Sequence, residues 1–178
     1  MSKTVTNPNA PESNRLKRNT GKKVAIYGLL LIWLLVSVFV HSLAHQATDR
    51  SSAPLLFGAD VPPSVVDVFA QACTNCHSDK TRWPWYSHVA PTSWIVENDV
   101  KRARERMNLS RWDNLDAAEQ LSLLTAIATV VENREMPLHK YVVFHEEAKL
   151  SAEDSIQVIE WTRAERRRLR ASLSSLTR

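Results

Sequence analysis

Cys73-Thr74-Asn75-Cys76-His77 is the stretch on which the reading of this chain turns. Two thiols stand three positions apart, and a histidine follows the second one directly. At that spacing the thiols can add to the two vinyl groups of one haem, and the histidine can reach its iron from one side. This is the c-type attachment spacing, with imidazole as the usual proximal ligand. The chain has 178 residues and two cysteines, both in this motif. Other uses of the pair fit less well. A Cys73–Cys76 disulfide suits an oxidising compartment. A thioredoxin-like redox pair belongs to an α/β fold, whereas here the pair ends a helical pattern. Zinc needs two further ligands, from His88, His139 or His145.

Upstream of the motif the charge is polarised. Residues 1–23 carry a net +5 in a chain of net +4. Residues 1–20 are rich in Asn, Ser and Pro and are expected to be disordered. Lys17, Arg18, Lys22 and Lys23 then lead into VAIYGLLLIWLLVSVFV, Val24–Val40, an uncharged run that extends to about Ala44 if His41 is neutral. About 20 apolar residues span a bilayer core. The run reads as a signal anchor over 24–44. A signal peptide cut after Ala44 is the alternative, but the length of the run and Trp33 favour the anchor. Positive charge on the leading side keeps the N-terminus cytoplasmic and exports everything after about residue 45. In a bacterium this gives a single-pass inner-membrane protein with its folded part in the periplasm. A basic patch on the folded domain, as nucleic-acid binding requires, is not indicated. The three glycines form no nucleotide-binding loop.

Residues 45–62 read as a tether, 63–170 as the folded part and 171–178 as the end of a basic tail. Four helices are predicted. The first covers about 63–73, with Val65, Val66, Phe69 and Cys73 on one stripe. The second covers about 92–107, with Trp94, Ile95 and Val100 as its apolar positions. For the third, Asp116 is the cap and Glu119 its reciprocal partner; Leu121, Leu124, Ile127, Ala128 and Val131 make one face, ending near Asn133. The fourth runs from Ser151 to about Arg170, with Ile156, Ile159 and Trp161. Tyr141–Phe144 is too short for a strand. The fold class is all-α.

A haem iron held by His77 has a sixth position. Met136, before Pro137 in a loop between two helices, is the first choice; thioether ligation raises the potential and suits electron transfer. His139 and His145 are the alternatives, with His88, Met107 or an open position behind them. Trp83, Trp85, Tyr86 and Trp94 are expected to wall a flat apolar cofactor. Arg82, or the group Arg102, Arg104 and Arg106, offers charge to haem propionates.

The segment Cys73 to Trp94, CTNCHSDKTRWPWYSHVAPTSW, followed by Asn108, Ser110 and Trp112, resembles the haem-binding domain family of small bacterial membrane-anchored or exported proteins. So does MPLHKYVVFHEEAKLS, Met136–Ser151. The resemblance covers about 64–162. It implies a cytochrome c-like helical domain around one covalent haem c, attached through Cys73 and Cys76. His77, the Met136–Pro137 pair and His145 match the pattern. Asp99 stands where members often have His, and Ala103 where they often have Gly, which favours Met136 as the distal ligand.

The function these readings imply is one-electron transfer by a membrane-tethered haem protein with a redox protein partner. A haem-based sensor or a haem-binding accessory module with a displaceable distal ligand is the alternative. An enzyme is disfavoured, because peroxidase chemistry needs an open distal side with an acid–base residue. Residues 163–178 hold a net +5, leaving −6 over 24–162. That Arg-rich tail is a candidate for contact with anionic lipid or with an acidic redox partner.

Overall fold

The structure, a computed structural model, describes residues 10–46 and 54–176. The apolar run lies in one helix, α1, Ala10–Gln46. Its stretch Gly21–Val40 is long and apolar enough to cross a membrane, with a mean hydropathy of 2.3. Within the segment expected to be disordered, residues 1–20, the chain is described from Ala10 and is helical there. Pro11 suits a first helical turn, and Leu16, Lys17 and Arg18 propagate helix well into the apolar run. Residues 1–9 and 47–53, part of the expected disordered segment and of the expected tether, lie outside the described residues.

The remaining helices are α2 (Pro63–Ala72), α3 (Thr74–His77), α4 (Thr92–Arg106), α5 (Ala117–Glu132), α6 (His139–Val142) and α7 (Ala152–Leu176). Short 3-10 helices cover Trp85–His88, Leu109–Asn114 and Glu146–Ala148. No strand occurs among the described residues, so the domain is an all-α bundle. Pro63 opens α2 at a first-turn position where its missing N–H costs nothing. Asp116 caps α5 with the reciprocal bond from Glu119: each side chain accepts the other's backbone N–H, at 2.8 and 2.9 Å.

The core forms where α5 and α2 pack on α7. Phe69 meets Trp161 edge-on at 5.4 Å. Leu109, Trp112, Leu124, Ile127 and Val158 close the cluster, and each is almost fully buried. Each such side chain contributes about 1.5–3 kcal/mol relative to exposure. Several predicted faces shift. Val68 rather than Val66 is buried on α2; Val100 alone of its predicted group is buried on α4, Trp94 and Ile95 being exposed; Val158 rather than Ile156 is buried on α7.

The expected tether is packed where it is described. Leu56 is buried in the core and its N–H donates to the Leu109 carbonyl at 2.9 Å. Trp161 Nε1 donates to the Asp60 carbonyl at 2.9 Å. Leu56 sits at φ 55, a local conformation that periodicity does not register. Part of the Arg-rich tail is also drawn into the domain. Arg168 binds the buried Glu165 at 2.6 Å and the Gly58 carbonyl at 3.1 Å, while Arg166 reaches Thr125 at 3.1 Å. Arg163, Arg167 and Arg170 remain exposed.

Candidate functional site

The CTNCH stretch continues α2 by one more turn. Cys73 caps α2, its N–H donating to the Phe69 carbonyl, and its own carbonyl accepts from the N–H groups of Cys76 (3.2 Å) and His77 (2.9 Å). The turn is pinned on several sides. Asn75 donates through Nδ2 to the Tyr141 hydroxyl at 2.8 Å, and its Oδ1 accepts the Arg82 N–H at 3.1 Å. Asp79 accepts from Asn108 Nδ2 at 2.7 Å and Arg111 Nε at 3.1 Å, and its N–H donates to Ser110 Oγ at 3.1 Å. Arg104 donates to the Ser78 carbonyl and to Thr81 Oγ1, both at 2.8 Å.

Cys73, Cys76 and His77 open onto a cavity of about 320 Å³. Met136 lines the same cavity, with Val131, Leu138 and Leu150 supplying apolar wall. Met136 reaches it through the end of α5. Arg134 takes a left-handed conformation, φ 59, where glycine is usual. The Arg134 N–H then bonds Val131 O, and the Glu135 and Met136 N–H groups both bond Val130 O, reversing the chain over the cavity. Asp99, Arg102, Ala103 and Arg106 present one face of α4 to the cavity, as their i, i+3, i+4 spacing requires. Lys140 and Tyr141 of α6 complete the lining, and Lys140 Nζ pairs with Asp99 at 2.6 Å.

Backbone carbonyls of the α4 end orient His77. Its Nδ1 lies 3.1 Å from the Met107 carbonyl oxygen. A carbonyl only accepts, so Nδ1 carries the proton and Nε2 keeps its lone pair. Burial holds the imidazole below its ordinary pKa, against the opposing effect of its bonds to the Met107 and Ala103 carbonyls. The ring is therefore neutral at pH 7. An imidazole fixed through its other nitrogen by a carbonyl is the arrangement that metal-binding histidines need. Burial, and then the neighbouring Cys76, push the Cys73 thiol up to about 12; burial and then Asp99 raise Cys76. Both sulfurs are neutral, unbridged thiols. An apolar cavity with two thiols, a neutral histidine and a thioether fits a haem. A bare-ion site fits less well, since no group of three or more His, Cys, Asp or Glu side chains is arranged for one among the described residues.

A family model described as the haem-binding domain matches residues 32–164. The chain belongs to the haem-binding domain family. The matched region contains the whole cavity and reaches back into the second half of the apolar span. No curated protein and no solved structure matches the chain.

Within this haem-binding domain the other predicted residues fall elsewhere. Trp83, Trp85, Tyr86 and Trp94 are not among the cavity lining. Trp85 and Trp94 are exposed; Trp94 lies five positions before Asp99, on the other side of α4. His139 lines a neighbouring cavity of about 610 Å³ that shares Val131, Met136, Pro137 and Leu150 with the first. His145 has both ring nitrogens engaged, Nε2 with the Tyr86 hydroxyl at 2.7 Å and Nδ1 with Glu147 at 3.0 Å. Of the arginines, Arg102 and Arg106 face the cavity and Arg104 does not. Sequence reasoning missed Lys140, Tyr141 and the Met107 carbonyl. The carbonyl leaves no trace in a sequence. The other two adjoin His139, and a helical reading of 139–142 would have raised them.

Proposed function

We propose that this chain is a membrane-tethered c-type haem protein of cytochrome c-like fold that passes single electrons on the exported side of the membrane. The observation that carries the reading is the meeting of Cys73, Cys76, His77 and Met136 at one cavity, with His77 Nδ1 held by a carbonyl. Cys73 and Cys76 would bind the haem edge as thioethers, His77 would offer Nε2 to the iron, and Met136 would offer its sulfur. Bound there, a haem would supply a one-electron couple, and ligation by a thioether together with an imidazole would favour a high potential. Arg102 and Arg106 bring positive charge suited to propionates. The engaged nitrogens of His145 support Met136 over that histidine.

A second reading, haem-based sensing, draws on one observation: Met136 borders both cavities, which gives its side chain room to swing away. One pair of spectra separates the two. Electron transfer predicts the weak far-red absorption of a ferric iron–thioether bond and little binding of carbon monoxide to the reduced protein. Met136→Ala then abolishes that band and admits carbon monoxide. Rapid binding in the unmutated chain favours the sensor, and a spectrum indifferent to Met136→Ala removes the ligand assignment.

A further inference from the structure

We propose that the face formed by Trp85, Val143 and Phe144 rests on the bilayer surface and holds the haem-binding domain against the membrane; this builds on the reading of α1 as an anchor. Trp85 is 79 % exposed, Phe144 74 % and Val143 63 %. Tyr86 joins them into one surface, with ring centroids 5.9 Å from both Trp85 and Phe144. Scattered exposed apolar residues are ordinary, but adjoining large ones mark a contact surface. The patch is fixed rather than loose, because Tyr86 is bonded to His145, which stacks on Tyr141 at 4.3 Å. Tyr141 lines the cavity, so fixing this face also fixes how the cavity is turned toward the membrane.

Three observations assign the occupant as lipid. First, α1 touches the short helix that carries Trp85. Within the span, exposure is lowest at Ser37, which is half-buried, and among the large apolar residues at its neighbours Leu34 (38 %) and Val38 (36 %). These are one helical face in the last third of Gly21–Val40, the depth at which tryptophan collects in membranes. Second, residues 47–53 can separate α1 from the domain by at most about 25 Å, even fully extended. Third, the segment beside the patch carries no excess of positive charge: Lys140 is paired with Asp99, and Glu146 and Glu147 are exposed. Insertion of apolar side chains, not headgroup charge, is the attraction the surface offers.

The test uses the full chain in phosphatidylcholine vesicles containing a lipid with a photoactivatable acyl chain, with adducts located by mass spectrometry. Adducts are expected on α1, and at Trp85 and Val143–Phe144 several-fold above those at Leu173, an exposed leucine near the end of α7. Trp85→Ser with Phe144→Ser should lower labelling at Val143 several-fold and leave α1 labelled. Labelling of α1 with Trp85 and Phe144 no higher than Leu173 overturns the proposal while the anchor stands. An unlabelled α1 overturns the anchor and the proposal together. Labelling of the patch that needs phosphatidylserine and vanishes in salt overturns it in favour of charge-driven contact by the α7 arginines.

Discussion

His77 and Arg104 show how much of the site depends on single polar contacts. The Met107 carbonyl engages His77 Nδ1 and so places the proton there, and the Ala103 carbonyl is a second backbone partner of the ring. Arg104 holds the chain just after the motif by bonding both Ser78 and Thr81. Ser78 and Thr81 are buried, so removing the guanidinium leaves polar atoms without a donor. Arg104→Ala is expected to cost about 1–3 kcal/mol, read as a lowered denaturant midpoint of the full chain. Arg104→Lys should recover only part of it, because an ammonium cannot span both acceptors as the planar fork does. An unchanged midpoint for the alanine variant would show that the loop is held without this residue. The division among the arginines was legible in the sequence: Arg102 and Arg106 are four apart and share the face of Asp99, and Arg104 is turned away. The composition of the cluster, read without its helical phase, obscured this.

Helix ends were the most readable elements and also the ones that place the site. The Asp116–Glu119 pair marked the start of α5 because a capping box is a local signal, complete within four residues. The other end of α5 was not readable in the same way. An arginine occupies the left-handed position where glycine would have announced the turn, yet this turn carries Met136 to the cavity. At the start of α7, Asp154 accepts from Ser151 Oγ at 2.6 Å and from the Ser151 N–H at 2.9 Å. These bonds hold its carboxyl below the ordinary value. A carboxylate whose pKa is lower in the folded chain contributes its stability in full above the unfolded value of about 3.9. It loses that contribution as pH falls through the folded value. Asp154→Asn keeps an acceptor and removes the titration. The variant should therefore be less stable than the parent at neutral pH, and the gap should close on acidification. Unfolding midpoints taken from neutral pH down through the carboxylate range check this, and a gap that widens in acid contradicts it.

Across the whole molecule, charge and hydropathy divide the chain by role. From Ala10 the basic leading segment and the apolar span form one helix, and most of the haem-binding domain lies in the acidic middle. That division was visible in the sequence, as was the bundle, since α2, α4, α5 and α7 each show a cap, a proline or a stripe. Long-range closure was not visible. Leu56 bonds a carbonyl more than fifty positions away, and the aromatic residues expected to wall a cofactor do not line the cavity at Cys73, Cys76 and His77. Aromatic content reports surface to be covered, not what covers it. The central claim is that Cys73 and Cys76 hold one haem covalently beside His77 and Met136. It is tested most directly by the mass of the denatured full chain purified from cells that attach haem c. The expected mass is the polypeptide plus one haem, reverting to the bare polypeptide in the Cys73→Ala, Cys76→Ala variant. A native chain that releases its haem on denaturation and weighs as polypeptide alone would contradict it.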